Sequence, residues 1–236
     1  MFTRKQLIKL IIPLMVEQLL AVTVGMVDIM MVSSAGEAAV SGVSLVDTLN
    51  LLLISLFAAL ATGGAVVSAQ YLGNKQLQKA CKSASQLLLS TGVLSIILML
   101  IALIGNHEIL KLIYGNIDPM VFNNARKYFY ITAVSFPFLA IYNSCAALFR
   151  TMGNSKISMK VSIIMNLINV VGNAILVFGF HLGVVGVAIP TLISRVVATI
   201  IMLYLIRNKE HPIHIDRLLH LGFDWKMIKR ILAIGI

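Results

Sequence analysis

The chain has 236 residues, of which 59% are hydrophobic and only 12% charged, with a mean hydropathy of +0.94. That composition excludes a soluble globular fold and reads as an all-α polytopic membrane protein. The net charge of +10 does not imply nucleic acid, because Lys and Arg gather in short segments between apolar runs.

The first apolar run, 10–32, is long enough to cross a bilayer, which takes about twenty residues, yet it contains Glu17, Gln18 and Asp28. An ionisable group at that depth costs roughly 2.5–3.5 kcal/mol by insertion scales and is a functional candidate by default. At helical spacing Glu17, Ala21, Gly25 and Asp28 share one face, whereas Leu19, Leu20, Val22 and Met26 lie largely away from it. One stripe is expected to border protein or a wet pathway and the other lipid. Arg4, Lys5 and Lys9 precede the run without a cleavable signal pattern, so it is expected to be a retained anchor.

A polar turn is predicted over 33–44, then a second span over 45–69, with Asp47 at its end in interfacial water. Gln70-Tyr71-Leu72-Gly73-Asn74 leads into a basic segment with Lys75, Lys79 and Lys82. The third span is predicted over 84–104. A long loop is expected over 106–127, carrying the turn signal Asn116-Ile117-Asp118-Pro119. The fourth span, 128–149, is broken by Pro137. The fifth, 161–180, and the sixth, 186–206, flank a tight turn. Gly63-Gly64 reads as a site of close helix packing. The two cysteines, Cys81 and Cys145, have neither metal nor disulfide spacing.

Charge sets the orientation. Fifteen of the 19 basic residues fall in the segments on one side of the six spans, and only Lys111, Arg126 and Lys127 on the other. By the positive-inside rule the N-terminus and the segment after the sixth span are expected to be cytoplasmic. The segment 223–232 then repeats the pattern of 2–11: a capping residue, a basic amphipathic turn and an apolar run, at an offset of 221 residues. The expected organisation is therefore a six-helix lobe over 1–206, a cytoplasmic linker over 207–222, and the start of a second parallel six-helix copy over 223–236. The native product is expected to continue for about another 200 residues, the length of one repeat.

Polar groups recur at one depth. Asn166, Asn169 and Asn173 occupy one face of the fifth span, and the sixth places Pro190-Thr191 near its outer end with Arg195 one turn deeper. At 1.5 Å per residue, Asp28, Asn173 and Thr191 all lie about 8–12 Å below the outer surface. Pro190 cannot donate its backbone bond and tends to free the Gly186 carbonyl. Such a set of oxygens suits a small hard cation, and the carboxylate can instead carry a proton. Other readings stand beside this one. Asn166 is read as interhelical glue, Arg195 as a structural counter-charge, and Asp28 also as its ion-pair partner. Glu17 is read as a relay or substrate contact, or as facing interfacial water.

Taken together, Pro13, Gly25-Met26-Val27-Asp28, Gln70-Tyr71-Leu72-Gly73, Phe149-Arg150-Thr151-Met152-Gly153-Asn154, the stretch 169–179 and Gly186-Val187-Ala188-Ile189-Pro190-Thr191 carry a family likeness. The chain resembles the N-terminal half of a multidrug and toxic compound extrusion (MATE) transporter of the bacterial branches. The resemblance implies one lobe of a two-lobed transporter in the cell membrane that exports small organic cations and drugs in exchange for Na⁺ or H⁺. It implies no cofactor beyond that coupling ion, and as partners only membrane lipid, the organic substrate and a C-terminal lobe of the same polypeptide. It matches Asp28, Asn169, Asn173 and Thr191 to the lobe's cation site, with Glu17, Gln70 and Arg195 as pathway or relay candidates. Many relatives carry Asp where this chain has Asn173, so one carboxylate is expected rather than two. A lipid-linked oligosaccharide flippase of related fold is the alternative, for which more intramembrane cations than Arg195 would be expected. An enzyme is not expected: His107-Glu108-Ile109-Leu110-Lys111 is no HExxH motif, and no GxSxG or paired-Asp signature occurs.

Overall fold

The computed structural model describes residues 4–215 and 222–235, and the elements among them are helical. The long spans are α1 (Arg4–Val32), α2 (Glu37–Gly73), α3 (Leu77–Ile104), α7 (Ser155–Asn173) and α8 (Gly183–Ile206). Between them lie α4 (Asn106–Tyr114), α5 (Pro119–Val134) and α6 (Phe136–Thr151), and α9 (Trp225–Gly235) follows. Five helices are long and apolar enough to cross a membrane on their own. The pair α5 and α6, bent by 49° at Ser135, is long and apolar enough only when taken together, as one broken span or a re-entrant loop, so the count is five to six. Pro137 explains the break, because proline in the first turn of α6 has no N–H to continue the ladder from α5. The result is an all-α, multi-pass membrane protein.

Two expected loops are largely helix. The turn over 33–44 shortens to a 3₁₀ turn at Ser33–Ala35 and Gly36, whose φ of 100° only glycine adopts readily, and α2 begins at once with Glu37. The loop over 106–127 holds α4 and the start of α5, where Asp118 caps α5 by accepting from the amides of Met120 and Val121 at 2.7 and 3.4 Å. A capped helix spends fewer open backbone groups at the membrane surface than a loop does.

The packing has two layers of contact. α2 lies against α3, α5 and α6, while α7 pairs with α8 and with α1, and α6 and α5 join the two groups through α8. The core is built from small and β-branched side chains, with Phe57, Phe136 and Phe149 fully buried among them. α1 stands apart: only 6% of its most apolar window is buried, and Leu19, Val22, Met26 and Met30 all face outward. Its polar stripe, which points inward, therefore matters more to its placement than its apolar one.

α9 lies along α2 and α3. Two features hold it. Gly63 approaches Gly235 so closely that a Cβ on Gly63 would meet the Gly235 amide at 2.6 Å, as the reading of Gly63-Gly64 as a packing site anticipates. At the polar end, Lys82 pairs with Asp224 at 2.6 Å, and Arg230 donates to Gln70 Oε1 at 2.7 Å. Exposed pairs of this kind contribute about 0–1 kcal/mol, whereas forcing methylenes into a tight contact costs roughly 1–3 kcal/mol. Glycine packing is the stronger determinant. The segment after α8 folds back on the lobe, with Ile213 and Ile215 buried and His211 edge-on to Phe149. The expected linker residues 216–221 lie outside the described residues.

Candidate functional site

Four side chains from three helices form one hydrogen-bonded chain inside the lobe. Asn173 Nδ2, on α7, donates to Asp28 Oδ1, on α1, and to Asn169 Oδ1 one turn earlier at 3.2 Å. Asn169 Nδ2 donates to Thr191 Oγ1, on α8, at 2.9 Å, and the Thr191 hydroxyl donates to the Val187 carbonyl at 2.9 Å. Asp28, Asn169, Asn173 and Thr191 are all buried, and Asn173 is fully enclosed. Helical spacing is the local cause, since residues 169 and 173 stack on one face.

Close approach of α7 and α8 completes the chain. Gly172 presents only hydrogen to Pro190, and a Cβ there would meet the Pro190 Cβ at 2.7 Å. Directly after Asn173 the helix widens into a π-helical turn, Ala174–Gly179. Such widenings occur often at functional sites, because they loosen the backbone ladder beside a side chain that must turn.

The donors and acceptors of this chain do not balance. Asn173 Oδ1 is buried and has no hydrogen-bond partner among the described residues. If ionised, Asp28 bears a charge whose burial in a membrane costs roughly 2.5–3.5 kcal/mol, against about 0.6 kcal/mol for an interhelical hydrogen bond such as that from Asn173. The amide does not offset the charge. Carboxylate, amide and hydroxyl oxygens make up the set, as small hard cations require. Among the described residues no group of three or more His, Cys, Asp or Glu is arranged to hold a metal ion.

The remaining sequence candidates separate. Glu17 lies toward the N-terminal end of the same stripe, where its carboxylate is part-buried among side chains of α6 and α7. Its Oε2 accepts from Ser158 at 3.1 Å, and its Oε1 accepts from Tyr142 at 3.4 Å and lies 3.6 Å from Arg150 Nη1. Gln70 is exposed and bound to Arg230, away from Asp28. Asn166 is buried, but its Nδ2 finds no partner among the described residues, so it does not act as glue through that atom. Arg195 donates to Ser135 Oγ at 2.6 Å, at the break between α5 and α6. It makes no ion pair with Asp28 within 4.0 Å among the described residues.

Asp47 is the residue that sequence reading placed wrongly. It does not sit at a helix end in interfacial water but ten residues into α2, half-buried, where Oδ1 accepts from Tyr128 at 3.1 Å and from Asn50 at 3.4 Å. The early start of α2 puts it inside the lobe. The Asp47/Asn50 spacing of three was the one signal that could have marked it.

The described elements thus form an all-α bundle of long apolar helices with a buried polar cluster shared by α1, α7 and α8. The MatE family model matches residues 13–175, and the chain belongs to that family. It is 25% identical over 229 residues to an uncharacterized transporter of Bacillus subtilis, YisQ, covering 95% of this chain and 50% of that protein. It is 27% identical over 201 residues to the multidrug export protein MepA of Staphylococcus saprophyticus, covering 84% and 44% respectively. The fold matches the outward-facing conformation of a multidrug resistance MATE family transporter of the MOP superfamily with a TM-score of 0.89 and 22% identity, over 98% of this chain and 51% of that one. The chain thus spans about half the length of the curated relatives it matches.

Proposed function

We propose that this lobe belongs to a secondary active antiporter that exports organic cations and drugs in exchange for Na⁺ or H⁺ by alternating access, with Asp28 as the coupling carboxylate and the N-terminus cytoplasmic. The observation that carries the reading is the enclosed Asn173 amide: its nitrogen bridges Asp28 Oδ1 and Asn169 Oδ1, while its own oxygen is without a partner. A partly positive N–H₂ group between two oxygens stands where a cation would. A half-turn of that amide puts a third oxygen beside the other two, with Thr191 Oγ1 next along the chain, and so converts a hydrogen-bonded set into a cation-binding one. Protonation of Asp28 would neutralise the same charge by the other route.

Binding the ion would tie α1 to α7 and α8, and releasing it would free α1, the least buried span, to move. Transport then follows from the differential affinity of two conformations for ion and drug. The test uses the full-length gene product in everted membrane vesicles with ethidium as the transported dye. An imposed Na⁺ or pH gradient should drive dye movement that stops when an ionophore collapses that gradient. Dye movement indifferent to both gradients would overturn the reading.

A further inference from the structure

A second carboxylate lies inside the lobe, sharing no hydrogen bond with the chain of Asp28, Asn173, Asn169 and Thr191. Asp47 on α2 is half-buried. Its Oδ1 accepts from the Tyr128 phenol on α5 at 3.1 Å and from Asn50 Nδ2, three residues on, at 3.4 Å. Among the described residues no hydrogen bond reaches its Oδ2. Both partners are enclosed, Tyr128 at 2% and Asn50 at 4% exposure, and Asn50 Oδ1 has no partner among the described residues. Buried polar atoms are paired as a rule, so this orphan calls for a cause.

The balance of donors and acceptors supplies one. The phenol O–H and the Asn50 amide nitrogen are both spent on Asp47 Oδ1. Asn50 Oδ1, on the other side of that same amide, is an acceptor for which the cluster has no donor left. Asp47 makes no ion pair within 4.0 Å among the described residues, so no contact cation holds it as a carboxylate. Of the charged or titratable groups on the surrounding helices, Tyr128 alone bonds it. Asp28 on α1 and Arg195 on α8 act at longer range, and Tyr114 on α4 spends its O–H on the Leu45 carbonyl. A carboxylate left without compensation in apolar surroundings neutralises itself by taking a proton. The O–H so formed is the donor the cluster lacks. A metal cation suits the place less, because two partly positive hydrogens already converge on Oδ1.

We infer that Asp47, Asn50 and Tyr128 form a second ion-binding site of the lobe, one that takes a proton on Asp47 Oδ2. Water gives up the proton, one O–H bond forms, and the cluster loses one negative charge. The inference does not depend on the coupling role proposed for Asp28.

The test is infrared spectroscopy of the purified full-length protein at neutral pH, where an exposed aspartate is ionised. Subtracting the spectrum of Asp47→Asn from that of wild type should leave the C=O band of a protonated carboxyl group. The same band should persist in Asp28→Asn. With the proton on Oδ2, Oδ1 is the carbonyl oxygen, and the phenol bonded to it lowers its stretching frequency. Tyr128→Phe should therefore move the band to higher frequency. That variant removes a single oxygen, so it keeps the test open if Asp47→Asn accumulates poorly. Absence of the band, its loss in Asp28→Asn, or a band that Tyr128→Phe leaves unmoved would overturn the inference. Efflux that stays ion-coupled in Asp28→Asn while the band behaves as expected would defeat only the coupling role of Asp28.

Discussion

Asp28→Asn should give a protein that inserts and accumulates normally but no longer couples dye efflux to an ion gradient. The substitution nearly keeps the volume and removes the charge. The competing structural reading makes the opposite demand. Were Asp28 the ion-pair partner of Arg195, its neutralisation would strand a buried cation, which costs about 3–5 kcal/mol, and loss of protein would come first. The geometry favours the first outcome: Arg195 donates to Ser135 and makes no pair with Asp28 within 4.0 Å among the described residues. Membrane-fraction abundance and detergent melting curves, read beside gradient-driven efflux, distinguish the two. Low abundance with proportionate efflux would favour the structural pair.

The second large effect is steric. Gly172→Ala adds a Cβ that meets Pro190 at 2.7 Å, so α7 and α8 must part by several tenths of an ångström or more. The strain is roughly 1–3 kcal/mol, as for other overpacked contacts. The functional loss should be larger, because the bond from Asn169 to Thr191 is 2.9 Å long and ceases to count as one near 3.5 Å. Gly25→Ala is the control. It lies on α1 between Glu17 and Asp28, and a Cβ there meets nothing within 4 Å. A lower melting temperature and impaired coupling are expected for Gly172→Ala, and neither for Gly25→Ala. Equal behaviour of the two would show that α7 and α8 need no close approach.

What the sequence revealed and what it hid have physical reasons. Hydropathy marks spans because the bilayer imposes their length and apolarity, so the five unbroken ones were legible, and the break at Pro137 matches the bend between α5 and α6. Asp28, Asn173 and Thr191 were legible at one level because depth follows from rise per residue, the family resemblance added Asn169, and the structure does bring these four together. Helical starts were less so. With no strong cap signal before Glu37, α2 was expected eight residues late, and the shift turned Asp47 from an interior residue into an interfacial one. Its partner Tyr128 lies 81 residues away, on a helix half of which was read as loop, and nothing local connects them. Gln70 carried a family pattern but no geometry, and it proves to hold Arg230.

Ion-dependent stabilisation of the purified protein tests the central claim, that Asp28 and its amide and hydroxyl neighbours bind the coupling cation, without requiring transport at all. Melting temperature would be followed against Na⁺ at fixed pH, and against pH without Na⁺, in wild type and in Asp28→Asn. A ligand at 100 times its Kd stabilises the state that binds it by about 2.7 kcal/mol, enough to read as a shift. The expected result is that one of the two ions stabilises the wild type and that the same shift is lost in Asp28→Asn. An Asp28→Asn protein stabilised as much as wild type by the same ion would contradict the claim.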